Sequence, residues 1–191
     1  QPYVAFYNND FLCDCILEQY DPAPLSYKAH KIILAASSKY FHEFFMNERQ
    51  RKNDITMVPL PNNVKSVIPL NDNIFPFVLK FFYTNQEKDD LAKCGLNNIN
   101  CFEFLSIFDA LKCERGKALT MEYILELVLK KENCLIYLID SYKLQEKVLL
   151  EKSYELLISN FNSILSGKRE YPQLLNLPYK IMKLILSKDE I

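Results

Sequence analysis

Apolar residues alternate in part over 11–18, FLCDCILE, and return over Leu25–Ala29. Partial alternation with β-favouring side chains predicts strands. Asp21-Pro22-Ala23-Pro24 lies between the two and cannot continue a strand, so together they read as a hairpin. From His30 the spacing becomes helical, through Ile33, Leu34, Phe41, Phe44 and Phe45, with Ser37-Ser38 interrupting it. A serine pair in that place caps a second helix more readily than it sits inside one. Two short helices are predicted, over 30–36 and 38–46. Residues 47–63 are charged and then proline-broken, giving a loop with a short strand near Ile55–Val58. Lys65–Leu70 reads as another strand. Asn73 is placed to cap a helix over 74–84, with Pro76 in its first turn and an apolar stripe of Phe75, Val78, Leu79 and Phe82. Asn85–Asn98 is polar, holds Gly95, and reads as a loop.

The rest of the pattern is helical. Asn100 with Glu103 resembles a capping box, opening a helix to about Cys113 that Arg115-Gly116 ends. Ala118–Lys131 is amphipathic through Leu119, Tyr123, Ile124, Leu127 and Val128. Asn133 caps a helix to about Leu144, and Val148–Ser159 follows. Tyr171–Asn176 and Pro178–Leu186 are two more, Pro178 standing in the first turn of the second. Ser187-Lys188-Asp189-Glu190 is again a capping box, and with the opening at Gln1 it suggests a piece of a longer protein. A weak internal echo runs through this half. Asn100-Cys101-x-x-x-Leu105 recurs as Asn133-Cys134-x-x-x-Leu138, thirty-three residues on. Two copies of a helical hairpin do not make a solenoid, and reuse of one Asn cap would be enough to produce the echo.

Composition narrows the function. The 191 residues are 49% hydrophobic and 25% charged with only 3 Gly, enough apolar mass for a sizeable core. A net charge of -1 gives no field for nucleic acid or an anionic membrane. The apolar runs are too short to span a bilayer. Cys13, Cys15, Cys94, Cys101, Cys113 and Cys134 contain no C-x-x-C and are read as reduced, mostly buried thiols, with no metal and no cofactor expected. Phosphate-cradling glycine loops are absent. Asp14, His30 and Ser37 or Ser38 could be a nucleophilic set, weighed against a histidine that simply packs and hydrogen-bonds. The second reading is favoured, so the chain is not expected to be an enzyme. Arg49-Gln50-Arg51-Lys52 is balanced by Glu43, Glu48 and Asp54 and reads as solvated surface. Tyr40, Phe44, Phe45 and Met46 are too crowded on one helix to face one way, so one of them is partly exposed. Exposed aromatics and Met beside charge are typical of protein interfaces.

These residues resemble a known family. LCDCILE followed by YKAHKIILAASSKYFHEFF is similar to the opening of a BTB/POZ domain, through Cys13-Asp14-Cys15, Ala29-His30-Lys31, Leu34-Ala35, Tyr40-Phe41 and Phe44-Phe45. FPFVLKFFYTN resembles the segment ending in Tyr-Thr, here Tyr83-Thr84. NCFEFLSIFDALKC matches the helix that follows, through Asn100, Glu103, Leu105, Asp109 and Leu111. ENCLIYLIDSYKLQEKVLLEKSYELLISNFNSI and LLNLPYKIMKLILSKDEI resemble the BACK domain of kelch-like proteins.

The resemblance implies an α+β BTB/POZ fold over 1–115, a small sheet with surrounding helices, then an all-helical, truncated BACK segment over 116–191. It implies a cytoplasmic or nuclear homodimer that recruits cullin-3 into a ubiquitin ligase and takes its substrate protein through a further domain such as a kelch propeller. On that basis Tyr40, His42, Met46, Glu48 and Tyr83 form the cullin-binding patch, with Phe41 and Phe44 beneath it. The helices from Ala118 to Leu165 would add a second contact. Asp14 and Lys31 map near the dimer interface, where they would form a paired buried charge. The alternative is a BTB scaffold that oligomerises for cytoskeletal or transcriptional assembly without binding cullin.

Overall fold

The computed structural model describes residues 3–19, 25–47, 55–60, 74–161 and 177–186. The predicted strand over 65–70, the helix over 171–176, and the caps at Asn73 and Ser187 lie outside these residues. The chain divides into two compact units, Gln1–Glu122 and Tyr123–Ile191.

The first unit is α+β. A 3-10 turn, Val4–Phe6, precedes β1, Cys15–Gln19, which pairs antiparallel with β2, Leu25–Ala29. β3, Thr56–Pro59, joins the other side of β1 in parallel, giving the order β2-β1-β3. A parallel neighbour needs a crossover, and α1, Lys31–Ser37, and α2, Lys39–Asn47, lie in it. Ser38 separates these helices as its position predicted. Its hydroxyl accepts the Phe41 amide at 3.3 Å, an N-cap bond, and donates to the Leu111 carbonyl at 2.6 Å. β1 starts later than the pattern suggests. Residues 11–14 form a turn, with Cys13 N–H donating to Asp10 O at 3.2 Å and Leu12 at φ +61°.

α3, Phe75–Phe82, carries Pro76 in its first turn. α4, Lys88–Lys93, falls inside the stretch read as a loop. Its polar sequence hides a cap: the Asp90 carboxylate accepts the Glu87 amide at 3.3 Å, and Asp90 and Leu91 are buried. The loop reading of Asn85–Asn98 is therefore corrected over Lys88–Lys93, where Asp90 is buried rather than solvated. α5, Cys101–Ala110, and α6, Glu114–Tyr123, complete the unit. The turn between them uses Lys112 at φ +51°, not Gly116, as its left-handed residue. Gly116 stands inside α6 because the Phe108 ring lies where its Cβ would be, 2.5 Å away. The core here is aromatic: Phe81 and Phe104 pack on Phe108 with centroids 5.3 and 6.0 Å apart, and Phe41 packs on Phe82 at 6.3 Å.

The second unit opens with a π-helical turn, Ile124–Val128, where one continuous helix over 118–131 was predicted. α7, Cys134–Leu144, and α8, Lys147–Ser159, form a hairpin. With α9, Tyr179–Leu186, it encloses Cys134, Leu135, Leu138, Tyr154, Leu157, Leu177 and Ile181. No helix among the described residues is long and apolar enough to cross a membrane.

Candidate functional site

Three features of the first unit bear on binding: a buried histidine knot, an apolar turn beside it, and the outer face of α2. His30 is 6% exposed and Tyr83 1%. Nε2 of His30 lies 2.8 Å from the Phe11 carbonyl, which can only accept, so Nε2 carries the proton. Nδ1 lies 2.9 Å from the Tyr83 hydroxyl, and the His30 amide donates to the same oxygen at 3.2 Å. The hydroxyl therefore receives the amide and donates to Nδ1, and every polar group in the knot is satisfied. Burial holds the Tyr83 phenol well above its ordinary range. Tyr7 packs edge-on against Tyr83 and donates to the Pro76 carbonyl at 3.0 Å.

This geometry overturns the reading of Asp14, His30 and Ser37 or Ser38 as a nucleophilic set. His30 is inaccessible and both ring nitrogens are engaged. Ser37 donates to Phe82 O at 3.4 Å and receives Gln86, while Ser38 is turned to Leu111. The Asp14 carboxylate faces elsewhere too. It accepts the backbone amide of Lys31 at 2.7 Å and is exposed. Asp14 and Lys31 are thus brought together, but not as the buried charge pair expected. The contact is a carboxylate on a free N–H at the start of α1, which leaves the Lys31 ammonium out of it.

Pinning Phe11 to His30 places its turn against the beginning of α1. Phe11, Leu12 and Ile32 are 64%, 69% and 79% exposed there, large apolar side chains turned to solvent. Sequence reasoning missed this group because FLCDC was read as strand. The signal was Asn8-Asn9-Asp10 ahead of it: Asn8 takes φ +56°, and Asn9 accepts the Phe11 amide at 3.0 Å.

The candidate cullin patch is brought together only in part. Met46 and His42 are exposed on α2, and Tyr40 is half-buried with its hydroxyl on Pro59 O at 2.7 Å. Phe41 lies fully buried beneath them and Phe44 is half-buried. Glu48 lies outside the described residues. Tyr83 does not belong to the patch: its ring and hydroxyl are consumed by the His30 knot.

The start of α2 is fixed from outside. Lys39 and Tyr40 donate their free helix-start amides to the carbonyls of Lys112 and Leu111, each at 3.3 Å. Glu43 joins Lys112 at 2.7 Å and Lys39 at 3.9 Å, and these lysines hold its carboxyl below the usual range.

Among the described residues all six cysteines are free, five of them buried, and no group of three His, Cys, Asp or Glu is gathered as metal ligands would be. Burial pushes the Cys94 and Cys113 thiols up to about 11.

The family model for the BTB/POZ domain matches residues 3–127. This chain belongs to the BTB/POZ family. The BTB/POZ domain is a protein-interaction domain, and the three-stranded sheet with its surrounding helices is its α+β fold. Human Kelch-like protein 6 is 26% identical over 167 residues, 86% of this chain and 23% of that protein. Human Transcription regulator protein BACH1 is 31% identical over 103 residues, 48% of this chain and 14% of its own length. Human Zinc finger and BTB domain-containing protein 49 is 36% identical over 98 residues, 50% of this chain and 11% of its own. The chain thus spans less than a quarter of each of these curated relatives.

Proposed function

We propose that this BTB/POZ chain is an interaction adaptor that dimerises and recruits cullin-3 into a ubiquitin ligase in the cytoplasm or nucleus. A further domain of the whole protein, such as a kelch propeller, would bring the substrate. The observation that carries this reading is the likeness to Kelch-like protein 6, which covers 86% of the chain rather than the BTB part alone. On this reading the helices from residue 116 are a BACK segment. α2 supplies the contact: Met46 and His42 stand out from a helix whose start is tied to α5, so little ordering is needed on binding. Phe11, Leu12 and Ile32 supply the self-association face, with Asp14 and Lys31 at its edge.

A second reading keeps the dimer and removes the cullin. It is favoured by the likeness to a transcription regulator and to a zinc-finger BTB protein. Calorimetric titration with the N-terminal domain of cullin-3, with mass by light scattering alongside, separates the two. The adaptor reading expects a dimer that binds and a Met46→Asp variant weakened by about 2 kcal/mol or more. A dimer that does not bind leaves the scaffold. Binding that Met46→Asp leaves unchanged removes α2 as the contact.

A further inference from the structure

The Asn-Cys echo of the sequence extends into the backbone. Shifted by thirty-three residues, the closing, cap and turn hydrogen bonds that frame the helices of 91–123 recur in 124–156. Each stretch opens on an amide donating five residues back, Leu96 to Leu91 O at 3.1 Å and Leu129 to Ile124 O at 2.8 Å. Neither Asn caps its helix in the ordinary way. Asn100 Oδ1 accepts the amide three residues earlier, Asn97, at 2.8 Å, and its Nδ2 donates to the carbonyl five earlier, Gly95, at 2.9 Å. Asn133 does the same with Lys130 and Val128, both at 2.7 Å. The next thiol bonds the carbonyl three before it in both, Cys101 to Asn98 at 3.6 Å and Cys134 to Lys131 at 3.2 Å. Both first helices stop at a non-glycine left-handed residue, Lys112 at φ +51° and Gln145 at φ +59°. The following amides reach back five residues, Cys113 to Phe108 O at 2.8 Å and Glu146 to Ser141 O at 3.0 Å. The second helices then begin in register at Glu114 and Lys147.

A shared capping habit would give similar starts. It would not hold a start, a stop, a left-handed turn and a second start at one offset without insertion. Leu96, Leu105, Leu111 and Glu122 also have identical counterparts at 129, 138, 144 and 155. The division between the compact units, at Glu122/Tyr123, falls one residue from the join. The join also accounts for the π turn: α6 stops where the second stretch begins with its own five-residue closure.

We infer that 91–123 and 124–156 are two tandem copies of one helical-hairpin module, the first closing the α+β unit and the second opening the helical unit. The inference does not depend on the adaptor reading. One pair of positions reveals how the copies diverged. In the first copy a large side chain, Phe108, lies against a residue with none, Gly116. At the equivalent positions the second copy has small Ser141 and large Leu149, both fully buried. The two positions exchange size while the backbone stays the same, so Ser141 and Leu149 share one space as Phe108 and Gly116 do.

The test is a double-mutant cycle on the full chain, read by urea unfolding: Ser141→Phe, Leu149→Gly, and both together. Each single change should raise the unfolding constant. The double variant should unfold at least roughly tenfold less than the product of the single effects, the coupling of residues sharing one cavity. Should Ser141→Phe fail to fold, Ser141→Leu with Leu149→Ala is the milder cycle. Effects that multiply independently in the cycle that folds would overturn the duplication.

Discussion

The two hairpins share a backbone and differ in what fills it. The first is packed with rings, Phe104 and Phe108 against Phe81, and the second with Leu135, Leu138 and Leu157. Rings are rigid and fill space in few orientations, so the aromatic hairpin needs a hole of fixed shape, which Gly116 provides. Branched aliphatic chains adapt more easily, and the aliphatic hairpin needs no glycine. The polar groups differ as well. Thr120, fully buried in the first copy, donates to Gly116 O at 2.8 Å. Its counterpart Ser153 is equally buried, and its hydroxyl has no partner among the described residues. A backbone can thus be kept while its filling is replaced, provided volume is conserved.

Alanine at the two equivalent positions breaks the comparison most sharply. Leu149→Ala leaves a cavity and should cost about 2–5 kcal/mol. Gly116→Ala does the reverse, pushing a methyl into the Phe108 ring. That ring is enclosed by Phe81, Phe82 and Phe104, and the clash should cost about 1–3 kcal/mol despite the better helix propensity of alanine. Chemical denaturation of each variant gives both numbers, and a harmless Gly116→Ala would mean the ring has room to move.

A smaller effect follows from the thiols. Cys94 and Cys113 belong to the first unit, and their folded-state values are pushed up to about 11. In the unfolded chain thiols ionise near about 8.5. Between those values the unfolded state has lost protons that the folded state keeps. Stability from these thiols is therefore full below the lower value and declines as pH rises toward the upper one. Thermal melts from pH 8 to 10 should show a falling midpoint, shallower in Cys94→Ala and Cys113→Ala; an unchanged slope would remove the thiols as its cause.

The smallest effect is at Ser153. Ser153→Ala discards a hydroxyl that bonds nothing among the described residues, so stability should stay level or rise by up to about 1 kcal/mol. A marked loss would show that the hydroxyl finds a partner in solution.

Much of this was legible in the sequence where a signal was local. Ser38 ends one helix and starts another because its backbone amide closes α1 on the Leu34 carbonyl while its hydroxyl caps the start of α2. Pro76 and Pro178 marked helix starts for the same kind of local reason. What failed was whatever a distant residue decides. Asn100 and Asn133 read as ordinary caps, yet their amides turn back into the preceding loop. Tyr83 read as part of a surface, and only the fold shows that His30 claims its hydroxyl. Gly116 read as a helix end because nothing nearby announces the Phe108 ring. α4 was missed because a buried Asp90 looks, letter by letter, like a solvated one. The candidate site fared likewise: Met46 and Phe41 fell where helical spacing put them, while the apolar turn at Phe11 and Leu12 depended on a hydrogen bond to His30.

The joint between α2 and α5 has a mechanical consequence. The amino end of one helix abuts the carboxyl end of the other, so partial charges of opposite sign meet and neutralise there. The two helices meet at an electrostatic joint, reinforced from outside by the Glu43–Lys112 pair. Load applied to the outer face of α2 would pass through that joint into the hairpin as well as through the Tyr40–Pro59 bond into the three-stranded sheet.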